Sequence, residues 1–127
     1  MKEKMFILAT ALLVAGSLTL AYAADIDNGK ALFESPTFGG GTTGKTCKSC
    51  HPGGEGLGKD LFDREKTAIM GMEKNSVEEV VNVCIENPMG GSAIDTEGEE
   101  MQDVVAYMKT LVDKKAKKKT RRKIEGC

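Results

Sequence analysis

The chain has no tryptophan, two tyrosines and four phenylalanines among its 127 residues. That is a thin supply of large core-filling side chains for a domain of this size. A single histidine, His51, means that no second imidazole is available to any site. Neither sign of charge dominates: 18 basic residues stand against 19 acidic ones, which excludes an overall basic nucleic-acid binder. No internal repeat is present, and only one apolar run is long. The length supports one modest core, and a composition 40% hydrophobic and 29% charged argues against both wholesale disorder and a multi-span membrane protein.

The one long apolar run lies at the N-terminus. Lys2 and Lys4 precede residues Met5 to Leu20, and Ala21-Tyr22-Ala23 follows with small residues at the first and third places. This is the pattern of an export signal over residues 1–23, with cleavage expected after Ala23. The alternative is an uncleaved anchor, since Met5 to Ala23 is just long enough to span a bilayer. Either way, the rest of the chain is expected outside the cytoplasm (periplasmic or exported), where disulfides persist.

Three helices are expected in the remainder. Asp27 to Glu34 form a short one with Asp25 or Asp27 as N-cap, ended before Pro36. Eight of the 15 glycines fall between Gly39 and Gly58, marking irregular loop. Residues 59–73 show no period. Ser76-Val77-Glu78-Glu79 is a capping box, and Val77, Val80, Val81 and Cys84 behind it share one helical face. Asn87-Pro88 ends that helix. Thr96-Glu97-Gly98-Glu99 is a second capping box, opening a helix whose stripe is Met101, Val104, Val105, Met108, Leu111 and Val112. The expected class is all-α with long loops.

Cys47-Lys48-Ser49-Cys50-His51 is C-x-x-C-H, the attachment signature of c-type haem. Two thiols three positions apart can each form a thioether with one haem vinyl group, and the next residue offers its imidazole as proximal axial ligand. A redox dithiol would want a βαβ frame, zinc a second ligand pair, and a Cys47–Cys50 disulfide would be a strained loop. The motif overlaps Gly39-Gly40-Gly41-Thr42-Thr43-Gly44-Lys45-Thr46, which matches the phosphate-binding pattern G-x-x-x-x-G-K-S/T. No apolar strand precedes it and Pro36 stands in the way, so nucleotide binding is a remote alternative.

With these pieces in order, the chain resembles a class I cytochrome c domain over roughly Asp25 to Val112. The resemblance implies three to four short helices and long loops around one covalent haem, with a domain spanning residues 24–112. It also implies that the first and last helices cross at a Gly and aromatics, for which Gly29, Phe33 and Tyr107 occupy the matching places. Leu57-Gly58-Lys59 lacks the Pro that many members carry, leaving the acceptor for the second His51 nitrogen open. The distal axial ligand implied by the family is a Met before the last helix, here Met89. The segment from Asn82 to Gly91 also resembles the first haem domain of thiosulfate dehydrogenases, in which the residue matching Cys84 is the ligand. Cys84 and Met89 both stay open. The functional expectation is a monohaem one-electron carrier with redox partner proteins. The alternative is a haem subunit of a sulfur-compound oxidoreductase, although Asn87-Pro88 replaces that family's Arg-Ser.

The near-neutral charge conceals a division. Asp25 to Val112 hold 8 basic and 16 acidic residues, net −8, whereas residues 113–127 hold 8 basic and 2 acidic, net +6. The tail is expected to be solvated, or to dock on anionic headgroups or an acidic redox partner. Cys127 could pair with another chain or with Cys84.

Overall fold

The computed structural model describes residues 22–124. The export-signal reading falls mostly on residues 1–21, and Cys127 on the last three; both lie outside the described residues. Helix α1 (Ile26–Glu34) is capped by Asp25, whose carboxylate accepts from the amides of Asp27 and Asn28. A 3-10 turn (Phe38–Gly40) and a four-residue helix α2 (Cys47–Cys50) follow, then a second 3-10 turn (Pro52–Gly54). Helices α3 (Val77–Glu86) and α4 (Glu99–Ile124) complete the helical set. No helix of the described residues is long and apolar enough to cross a membrane.

The all-α expectation needs one correction. Strands β1 (Thr67–Ile69) and β2 (Met72–Lys74) pair antiparallel, with Ile69 opposite Met72. The Met70-Gly71 connection has φ of 50° and 78°, the two positive values of a type I′ hairpin turn. Three-residue strands are too short to show a period of two. A Met in the first turn position also lacks the Asn or Asp that normally announces this turn.

Helix α3 opens as expected, Ser76 Oγ accepting from the Glu79 amide, but the Glu79 carboxylate reaches back to the Asn75 amide instead. Its buried arc is wider than the expected face, taking in Val80, Val81, Asn82, Val83 and Ile85. Helix α4 begins two residues later than an N-cap at Thr96 suggested. Asp95 takes the preceding residues into a turn, its carboxylate accepting from the Glu97 amide and its carbonyl from the Gly98 amide. Gly98 is also a poor helix-interior residue. Beyond Val112 the helix continues through the Lys-rich stretch to Ile124. At 26 residues it is about 39 Å long, not short.

Helices α1 and α4 form the main packing pair. Gly29 lies so close to α4 that a Cβ there would land on the Asp103 carbonyl. One turn on, the Phe33 and Tyr107 rings meet edge to face with centroids 5.4 Å apart. Phe33 and Phe38, with Ile85, Met101, Val104 and Met108, make the centre of the core. Of the α4 stripe, only Val105 is less than fully buried.

Candidate functional site

Thr46 starts the site. Its hydroxyl accepts from the Ser49 amide, while Ser49 Oγ accepts from the Thr46 amide, a reciprocal cap that forms a single helical turn from Cys47 to Cys50. That turn brings both thiols to one wall of a cavity of about 380 Å3. This lies within the roughly 300–1,000 Å3 of small-molecule and cofactor sites. His51 follows on the same wall, and Gly54 behind it packs onto Leu111 of α4, which fixes the turn against the core.

The His51 ring is oriented by the backbone. Its Nδ1 lies 2.8 Å from the Glu55 carbonyl oxygen. A carbonyl can only accept, so Nδ1 carries the proton and Nε2 presents its lone pair. Gly56 lies against the ring, where a Cβ would come within 3.2 Å of Nδ1. The acceptor that the missing Pro left open is therefore the Glu55 carbonyl.

Cys84 and Met89 line the same cavity, from α3 and from the loop after it. Cys47, Cys50, His51, Cys84 and Met89 thus line one cavity. Met89 is 2% exposed and Cys84 half-buried. The cysteines at 47, 50 and 84 are free thiols. Burial, reinforced by the neighbouring Cys84, pushes the Cys47 thiol up to about 11. Burial and then the Cys50 thiol push Cys84 up as well. Both are protonated thiols at neutral pH.

Apolar side chains form the rest of the wall, among them Phe33, Leu61, Val80, Val81 and Met108. Among the described residues, no carboxylate lines the cavity, and the cations that do are Lys45 and Arg64. Arg64 is held in place by Asp60, donating from Nη2 at 2.6 Å and from Nε at 2.7 Å, and that guanidinium holds the Asp60 carboxyl down to about 2. The β1–β2 hairpin contributes Thr67 to Met70 to the cavity, a contribution without any sequence signal.

Two supports escaped the sequence reading. Asn82, buried in an apolar stretch of α3, donates from Nδ2 to the Ile94 carbonyl and accepts the Ile94 amide, both at 2.9 Å. A lone Asn between Val81 and Val83 was the available signal. The second is the phosphate-loop look-alike. Its Thr42 and Thr43 amides donate to the Met89 carbonyl, so neither points at an open anion site. Thr46 caps only a four-residue helix, and among the described residues no strand precedes the segment. No protein-family model matches this chain, and neither does a curated protein or a solved structure.

Proposed function

We propose that the chain holds one covalent haem c and works as an exported one-electron carrier of the class I cytochrome c type. The observation that carries this reading is the meeting of Cys47, Cys50 and His51 with two further sulfur side chains in one apolar cavity. The crossing of α1 and α4 at Gly29, with Phe33 against Tyr107, favours the same family.

The residues present suit the group. Cys47 and Cys50 would hold it through thioethers, and His51 Nε2 would be the proximal ligand, its tautomer fixed by the Glu55 carbonyl. Cys84 or Met89 would be the distal one. An apolar wall fits a flat macrocycle, and Lys45 and Arg64 are cations suited to its carboxylates. When bound, haem supplies a reversible ferric–ferrous couple. The apolar side chains of Phe33, Leu61 and Met108 would limit water around that couple and so keep its reorganisation small. A thioether from Met89 would raise the potential, whereas a thiolate from Cys84 would stabilise ferric iron and lower it. A carrier is favoured over a catalyst because Cys47, Cys50 and His51, the cavity's nucleophilic and basic groups from the C-x-x-C-H turn, would all be taken up in holding the haem.

The test is a redox titration of protein produced in a host that attaches c-type haem. A single reversible one-electron wave, with inertness towards thiosulfate, is expected. Haem that washes out under denaturing conditions, or steady oxidation of thiosulfate by the isolated chain, would overturn the carrier reading.

A further inference from the structure

The segment from Gly39 to Thr43 belongs to the phosphate-loop match, yet the amides and hydroxyls of its two threonines bond to the loop that carries Met89. The Thr42 and Thr43 amides donate to the Met89 carbonyl at 2.9 and 3.2 Å. Thr43 Oγ1 donates to the Pro88 carbonyl at 2.8 Å, and Thr42 Oγ1 to the Gly90 carbonyl at 3.0 Å. The Gly39 carbonyl accepts from the Ser92 amide at 2.8 Å. Three consecutive carbonyls, at residues 88, 89 and 90, are thus held by two consecutive threonines.

The glycines have a matching purpose. A Cβ on Gly91 would land on the Gly39 carbonyl, and one on Gly39 would meet the Ile85 side chain. Gly90 has φ of 67° and lies against Thr42 Oγ1. The two segments therefore approach at backbone contact, which only glycines allow. At the near end the Met89 amide donates to the Cys84 carbonyl, and at the far end Asn82 holds Ile94. These bonds anchor the backbone of the loop on which Met89 lies.

We propose that Gly39–Thr43 is a positioning strap for Met89, with Thr42 and Thr43 holding its sulfur inside the cavity as the distal ligand and leaving Cys84 as a bystander thiol. The inference rests on the haem reading, but the strap's grip can be measured separately from it. Met89 is 2% exposed and Met70 59% exposed, so peroxide oxidation of the two can be compared within one molecule by peptide mass.

The full chain is compared with the T42V/T43V double variant and the T42S/T43S control. In the Val variant, Met89 oxidation should rise at least tenfold while Met70 is unchanged; the Ser control should match the parent. In haem-loaded protein, displacement of the distal ligand by imidazole should rise by a similar factor in the Val variant alone. The sulfur–iron charge-transfer absorption should vanish in M89A and persist in C84A. Oxidation and displacement rates unchanged in the Val variant would overturn the strap and leave the haem reading standing. Absorption lost in C84A and kept in M89A would overturn the ligand assignment. If no variant carries haem, the proposed function fails, and the oxidation ratio still decides whether the strap holds Met89.

Discussion

Asp103 is 1% exposed, yet its carboxyl titrates below the usual carboxylate range. Burial works against the charge but is outweighed by donation from Asn28 Nδ2, the Asp25 amide and the Tyr22 hydroxyl. A depressed folded value stabilises the fold above the unfolded Asp value of about 3.9 and loses that contribution as pH falls through the folded value. Tyr22 runs the other way. In the uncleaved chain its bond to Asp103 raises it to about 12, so its contribution is present below the unfolded value of about 10 and is lost as pH rises from there to about 12. Replacing Asp103 with Asn should cost about 2 kcal/mol at neutral pH and flatten the acid limb of urea-unfolding stability. An unchanged acid limb would assign it to other carboxylates. The two thiols and the imidazole were legible because C-x-x-C-H is a local pattern. The Glu55 carbonyl was not, since a backbone acceptor has no residue signature.

Among the elements, the α1–α4 crossing was anticipated only through the family resemblance, which put Gly29, Phe33 and Tyr107 at the places where the helices meet. Gly29 costs α1 about 1 kcal/mol of intrinsic helicity, offset by the closeness of α4. Gly29→Ala should therefore destabilise by about 3 kcal/mol in thermal unfolding, despite the better helix former, because the new methyl group meets the Asp103 carbonyl. A gain in stability would mean the helices do not approach as described. The hairpin was illegible for the reason its turn is strained: Met70 occupies positive φ without the side chain that suits it. Met70→Asn should stabilise by up to about 1 kcal/mol, read as a raised urea midpoint with an unchanged slope. A lowered midpoint would place the value of Met70 in its contacts at the cavity. The start of α4 was misread because two hydrogen-bonding residues, Asp95 and Thr96, compete to initiate it, and Asp95 wins by forming a turn.

Across the whole molecule, an acidic domain carries a helical basic extension. The extension reaches back to the loop after the Cys and His motif, where the Lys119 ammonium lowers the Lys59 pKa. Like charges brought together this way favour an anionic counterpart. Removing residues 113–127 should weaken the salt dependence of electron transfer to an acidic partner; an unchanged salt slope would make the extension a solvated helix only. The paucity of aromatics goes with a largely apolar cavity lined by the Cys and His motif. The most direct measurement of what fills it is the intact mass, under denaturing conditions, of the full chain made in a host that attaches haem through thioethers. A mass increased by one haem, lost in the C47A/C50A variant, is the expected result. A polypeptide mass with no addition, in a host that loads a control cytochrome, would contradict the haem assignment.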